Sequence, residues 1–259
     1  MRRTIAAILF LVLAGCVTTG TSENSTKMAE GYYNRGINHL QTKDYEKAMV
    51  EFQRSINTDS KFKMSYYAMG MTYDMMGKLS DAEKYYKEAI DIDSDFSDAY
   101  NSLGTIYMKQ KKWKEALKAF QKALQNKMYA TPNIAYVNIG DVYVNLEDYP
   151  KAIEAYREAK RYANQDYIIY RLGMALGRAG KTKEAIGELQ EGVALTPKNP
   201  DMRLALGLAL LKDGSKNAAI TEFKRVVELA PQSDAAKTAR DYIKTLDLDA
   251  VKKQKTKTR

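Results

Sequence analysis

The sequence predicts an all-α protein, a right-handed superhelical solenoid of six helix pairs with a C-terminal capping helix. Three observations predict it. Gly36, Gly70, Gly104, Gly140, Gly173 and Gly207 stand 34, 34, 36, 33 and 34 residues apart, and a fixed period of this length marks a stacked repeat array. An alanine follows each glycine by twelve residues (Ala48, Ala82, Ala116, Ala152, Ala185, Ala219), and a large apolar side chain comes four residues later (Phe52, Tyr86, Phe120, Tyr156, Leu189, Phe223). No stretch of the chain reads as a strand.

At the amino terminus, Arg2 and Arg3 precede an apolar run from Ile5 to Leu13. It is too short to span a bilayer comfortably and suits a secretory signal. The run ends in Leu13-Ala14-Gly15-Cys16, which resembles the bacterial lipobox. That resemblance implies cleavage after residue 15 and a lipid-modified Cys16 as the first mature residue. Cys16 is the only cysteine, so no intramolecular disulfide is open to it, and an acylation site explains it better than redox or metal chemistry. With two or three acyl chains the protein would sit on a membrane without crossing it, because each buried methylene contributes roughly 0.8 kcal/mol. Val17 stands where an aspartate acts as an inner-membrane retention signal in enteric bacteria, so the resemblance favours the periplasmic face of the outer membrane. Residues 16–28, rich in Thr, Ser and Asn, lack apolar periodicity and read as a flexible tether.

The repeats occupy residues 29–233. In each, glycine and alanine are small enough for two antiparallel helices to approach closely, and the ring or leucine fills the gap against the next pair. Asp59-Ser60, Asp93-Ser94, Thr131-Pro132, Thr196-Pro197 and Ala230-Pro231 read as turns between repeats, and Gly77, Gly180 and Gly214 as turns within them. Residues 234–251 form a helix that caps the open end of the array. The last segment, 252–259, reads as a basic, disordered tail.

Charge argues against a nucleic-acid partner. The formal net of +9 falls to +7 without Arg2 and Arg3, and to +2 once Lys252, Lys253, Lys255, Lys257 and Arg259 of the tail are set aside. Nucleic-acid binding needs a basic stripe along the folded domain. Catalysis is also disfavoured. The single histidine, His39, occupies the position that holds Tyr73, Tyr107 and Tyr143 in other repeats, and no second histidine or nearby cysteine completes a metal site or a nucleophile–base pair with it. The glycines are single and at repeat spacing, unlike a phosphate-binding loop. Asp and Glu are scattered among lysines at helical i to i+4 spacing, the pattern of a solvated face. The expectation is a non-enzyme with no cofactor, no metal and no small-molecule substrate.

The repeated pattern over roughly residues 29 to 233 resembles that of tetratricopeptide-repeat proteins. The resemblance implies that the first helix of each pair lines an inner, concave surface. The residues three before and one after each repeat glycine then point into a groove: Tyr33 and Ile37, Tyr67 and Met71, Asn101 and Thr105, Val137 and Asp141, Tyr170 and Met174, Leu204 and Leu208. Met64, Met75, Met108 and Tyr167 add to the same face. Methionine and tyrosine give adaptable contact area, which suits an extended segment or amphipathic helix of a protein client. The Lys, Asn and Arg pattern by which chaperone-tail-binding members clamp a terminal carboxylate is absent.

Tyr129-Ala130-Thr131-Pro132, followed by Ala135-Tyr136-Val137-Asn138-Ile139-Gly140, resembles a segment of the type IV pilus biogenesis lipoproteins of the PilF, PilW and Tgl kind. That resemblance implies a pilotin, which binds subunits of the outer-membrane secretin and helps them assemble, with Cys16 as the acylated anchor and the early-repeat groove as the secretin surface. The competing expectation is an envelope scaffold for peptidoglycan hydrolases or outer-membrane barrel assembly.

Overall fold

The computed structural model describes the backbone of residues 13–257 and the side chains of residues 23–246. Among these residues there are thirteen α-helices and no strand. The first compact unit ends at Tyr129 and holds α1 (Leu13–Gln41), α2 (Tyr45–Thr58), α3 (Lys63–Met75), α4 (Leu79–Ile92), α5 (Ser97–Lys109) and α6 (Trp113–Ala123). The second begins at Ala130 and holds α7 (Pro132–Asn145), α8 (Tyr149–Tyr162), α9 (Asp166–Arg178), α10 (Thr182–Leu195), α11 (Pro200–Lys212), α12 (Lys216–Leu229) and α13 (Asp234–Lys257). The period in the sequence is therefore a helix pair.

Each pair closes where its glycine meets its large apolar residue. A Cβ built on Gly70 would stand 2.6 Å from Cδ1 of Tyr86, and one on Gly104 2.5 Å from Cε1 of Phe120. No real side chain tolerates such distances, so the ring lies directly on the glycine backbone of the partner helix. Gly36 faces Phe52, Gly140 faces Tyr156, Gly173 faces Leu189 and Gly207 faces Phe223 in the same way. The six alanines beside these contacts are fully buried. The alanine and the ring lie four residues apart, one turn along the second helix, so a single stripe serves both contacts.

The turn inside each repeat is equally regular. Gly77, Gly180 and Gly214 adopt left-handed φ of 74°, 77° and 89°, and Lys43, Lys111 and Glu147 take the corresponding places in the other repeats with φ of 60°, 59° and 58°. At α3 the Gly77 amide donates to the Asp74 carbonyl at 2.9 Å and the Lys78 amide to the Tyr73 carbonyl at 2.9 Å. This pair of bonds satisfies the last free carbonyls of the helix and reverses the chain at once. The second helices α2 and α8 then start on Asp44 and Asp148, whose carboxylates accept from the amides of Lys47 and Lys151.

Within each unit, first helices approach one another: α1 meets α3 and α3 meets α5, and in the second unit α9 meets α11. Among the described residues the second helices show no comparable approach. The first-helix side is accordingly the tighter, inner side of each stack. In the first unit α1, α2 and α3 are also tied by a buried hydroxyl chain, in which Ser65 Oγ donates to Ser55 Oγ and Ser55 Oγ to the Ala29 carbonyl, both at 2.6 Å.

Both ends of the chain depart from expectation. The segment 16–28, expected to be a tether, is helical backbone continuous with α1. Glu23 and Lys27 form an i, i+4 ion pair at 2.7 Å, and the Thr26 hydroxyl donates to Asp59 Oδ2 at 2.7 Å, so side-chain contacts replace the apolar stripe that the sequence lacks. At the other end, α13 runs past residue 251 to Lys257. The lysines there are good helix formers, no glycine or proline interrupts them, and cations near a helix C-terminus are favoured by its dipole. Residues 1–12 of the expected signal lie outside the described residues.

Two substitutions separate the packing constraint from the turn constraint. Gly70→Ala is expected to destabilise the protein by about 1–3 kcal/mol through overpacking against Tyr86, whereas Lys111→Gly relieves a left-handed backbone and is expected to stabilise it by about 0.5–1 kcal/mol. Urea unfolding midpoints of the two variants, moving in opposite directions, check both.

Candidate functional site

In the first unit the inner side carries the same ring arrangement twice. Tyr33 on α1 stands over Phe52 with ring centroids 6.0 Å apart and edge-on to Phe62 at 5.7 Å. Tyr67 on α3 repeats this against Tyr86 at 5.6 Å and Phe96 at 5.1 Å. Phe62 and Phe96 immediately precede α3 and α5, so the inner tyrosine of one repeat packs on the residue that opens the next. Both tyrosines are half-buried and keep part of the ring at the surface. Burial raises the Tyr67 phenol above its usual pKa, while the hydrogen bond with Ser102 (3.3 Å) and the nearby Asp98 act in opposite directions. Burial, and then the neighbouring Tyr67, raise Tyr33. Both hydroxyls stay protonated at neutral pH and can donate to a partner's carbonyl.

Methionines surround these rings. Met64 packs against the cluster of Ala89, Phe96 and Ala99, and Met71 against that of Ala82, Tyr86, Leu103 and Ile106, each half-buried. Ile37 packs against the core of the first repeat, and Asn101 and Met108 are half-buried on α5. Met75, at the end of α3, is 53% exposed. At the rim, Lys63 Nζ lies 4.7 Å above the Phe96 ring and pairs with Asp93. Hydrogen bonds from Lys63 and from the Asp95 amide hold the Asp93 carboxyl below its usual pKa.

The second unit is different. Tyr167 on α9 is 39% exposed, and Tyr170 and Met174 are half-buried, as a surface-lining role requires. Val137 is not. At 5% exposure it belongs to the core around Ala152, Tyr156 and Leu172. At the register where Tyr33 and Tyr67 send a long ring to the surface, a short branched side chain ends between the helices, so Val137 is corrected from groove to core. Beside it a pocket of about 210 Å³ opens between α7 and α9, lined by Asp141, Val144, Tyr156, Tyr170, Arg171, Met174, Ala175 and Arg178. Asp141 accepts from the Tyr156 hydroxyl at 2.6 Å and pairs with Arg171. Burial, and then the Asp141 charge, push the Tyr156 phenol far up.

The sequence did not single out Phe62, Phe96 or the Asp141–Arg171 pair. The first two were detectable, because they too are one repeat period apart. Arg171 follows a predicted groove residue, but nothing local shows that it reaches back to Asp141, thirty positions earlier. Cys16 lies on the backbone of α1, and its side chain is outside the described ones. Among the described residues no group of three or more His, Cys, Asp or Glu is placed to hold a metal ion, and no helix is long and apolar enough to cross a membrane. The inner sides offer apolar area, phenol donors and one charged pocket, which is equipment for binding a polypeptide.

Models of the tetratricopeptide repeat match residues 29–62, 64–96, 97–127, 134–166 and 170–234. The chain belongs to the tetratricopeptide-repeat family. Among solved structures, this tetratricopeptide-repeat chain is similar to PilF of Pseudomonas aeruginosa, with a TM-score of 0.72 at 18% identity over 84% of this chain and 99% of that one. It is similar also to PilW, described as a widely conserved type IV pilus biogenesis factor, with a TM-score of 0.72 at 17% identity over 82% and 97% of the two chains. YrrB, described as having an unusual peptide-binding site, aligns with a TM-score of 0.61 at 22% identity over 73% and 97%. Identities this low establish the fold alone. No curated protein sequence matches the chain.

The rim pair gives a pH test. Because Asp93 has a folded pKa below its ordinary 3.8, its contribution to stability is present above about pH 4 and is lost as pH falls through the folded value. Asp93→Asn is therefore expected to lower the melting temperature at neutral pH, and the gap to the wild type should close as the pH is brought below about 4. A gap that stays constant down to pH 2.5, within the error of paired thermal melts, would contradict the assignment.

Proposed function

We propose that this protein is a lipid-anchored, periplasmic docking scaffold without enzymatic activity, whose client is a type IV pilus secretin subunit. The observation that carries the reading is the inner side of the first unit, where Tyr33, Tyr67, Met64, Met71 and Met75 leave apolar surface open between packed helices. Rings held by their neighbours lose little conformational freedom on binding, and the methionines adapt to the client's shape. The likeness to PilF and PilW supports the choice of client, and the lipobox-like Leu13-Ala14-Gly15-Cys16 supports an acyl anchor at Cys16 on the outer membrane.

Anchor and groove have separate tasks in this mechanism. The acyl chains keep the protein at the bilayer, and the groove covers apolar client surface until subunits meet, at an effective concentration set by the membrane. Glu substituted for Met75 places a charge on the exposed edge of the groove without entering the core, so it is expected to weaken client binding with an unchanged melting temperature.

The deciding experiment deletes the gene in the native host and follows the detergent-resistant secretin multimer in outer-membrane fractions. The expected result is loss of multimer with monomer retained, restored by the wild type but not by Cys16→Ala. Normal multimer and normal piliation in the deletion strain would overturn the pilus assignment and favour an envelope scaffold for peptidoglycan hydrolases or barrel assembly.

A further inference from the structure

The inner side of the second unit carries a different charge from that of the first, and the difference falls on one register position. Five residues after the repeat glycine the first unit has Gln41, Met75 and Lys109, and Lys109 is neutralised by Asp74 at 2.5 Å. The second unit has Asn145, Arg178 and Lys212 there. Asn145 is occupied by the Asp141 backbone carbonyl at 2.8 Å. Lys212 donates to the Gly177 carbonyl at 2.7 Å, which leaves its charge unbalanced, and Arg178 lines the pocket between α7 and α9. Among the described residues neither cation has a carboxylate at ion-pair distance. Arg171, the other guanidinium of the pocket, is already held by Asp141, which also accepts from Tyr156.

We infer that this pocket takes a single carboxylate from an extended, acidic and apolar segment of a protein partner, paired with Arg178 and with Lys212 beside it. The inference rests on the reading of the inner sides as protein-docking surfaces. Its size suits one side chain, and Val144, Met174 and Ala175 give it an apolar wall. Leu208 and Leu211 are half-buried on α11 and extend that wall along the same unit. A phosphate fits poorly, because Asp141 lines the pocket and the Asp201 charge reaches Tyr170 from α11. Asp141, although paired with Arg171, stands in the wall of the pocket and repels a dianion more than a monoanion.

The test uses the full chain in detergent and three fluorescent octapeptide probes, read by anisotropy at low salt. One alternates glutamate and leucine with both ends blocked; the second replaces glutamate by glutamine; the third is the glutamine peptide with a free carboxyl terminus. The acidic blocked probe is expected to bind at least about tenfold more tightly than the neutral one. That preference should disappear in Arg178→Gln with Lys212→Gln, and survive in Lys216→Gln with Lys224→Gln, which removes the same charge from exposed positions on α12. Preference for the free-carboxyl probe, lost in the same variant, assigns the pocket to a chain terminus instead of an acidic side chain. Equal binding of all three probes, or a preference that survives loss of Arg178 and Lys212, overturns the inference. Because the probes are independent of any client, an intact secretin multimer in the deletion strain would refute the pilus assignment and leave this result standing.

Discussion

The contact of a ring or leucine with the bare backbone of a glycine on the partner helix is the constraint on which the rest of the structure depends. It fixes how near the two helices of a repeat lie, and so how far the next pair must shift to pack on them. Tyr86 and Tyr156 show how strict it is: both are almost fully buried, yet each keeps a phenol that must be accommodated. The Tyr156 phenol reaches Asp141 across the repeat. Where the residue is Phe52, Phe120, Leu189 or Phe223 the same volume is filled with no polar group to satisfy, and a hydroxyl is carried only in the repeats built on Tyr86 and Tyr156.

Close approach on one side of the pair and left-handed turns at one end together decide which side chains are left over for function. A first helix is covered by its own partner and by the following pair, which accounts for the buried residues on two of its faces. What remains is the row on the inner side, which packing uses only in part, so its composition varies more than that of the buried faces. The first unit fills that row with tyrosine and methionine. In the second, Met174, Tyr170 and Leu208 keep the apolar character, but Asp141, Arg171, Arg178 and Lys212 introduce charge. Neutralisation of Lys109 by Asp74 in the first unit shows that a cation at this register does not by itself make a site. Among the described residues Arg178 and Lys212 lack such a counter-charge, and the inferred carboxylate would supply it.

The fold was legible because its constraint is steric and local in register: a glycine, an alanine twelve residues on and a bulky residue after four more can be counted directly. The turns at Gly77, Gly180 and Gly214 were legible for the same reason. Those at Lys43, Lys111 and Glu147 were not, because there the left-handed conformation is imposed by the flanking helices on residues that do not favour it. The site was legible only as a row of positions. Register places Val137 beside Tyr33 and Tyr67, yet side-chain length decides whether a residue at that place reaches the surface, and valine is too short. The Asp141–Arg171 pair joins adjacent repeats at a spacing that no periodic pattern marks. At the chain ends, low apolar periodicity before residue 29 and the basic run after residue 251 point away from structure, whereas α1 carries one ion pair and one hydroxyl contact there and α13 continues on helix propensity.

Partial burial of the inner rings sets how tightly such a surface binds. Tyr33 and Tyr67 are already half-covered by Phe52 and Phe62 and by Tyr86 and Phe96, so a client removes only the remaining part of each ring from water. At about 25 cal/mol per Å² of apolar surface, a handful of such edges is offset in large part by the roughly 4–15 kcal/mol lost on association. Rigid, half-covered rings therefore favour selectivity over affinity: they present a fixed shape, and a client that fails to match it gains nothing by rearranging them. A scaffold built in this way holds a client briefly unless something else keeps the two together. The proposed acyl anchor would supply that condition without adding a contact, since confinement to a surface raises the encounter rate while leaving dissociation fast. In the role proposed above, where subunits are handed on to one another, fast release would be a requirement of the task, and the packing that holds the inner rings in place would also keep their binding weak.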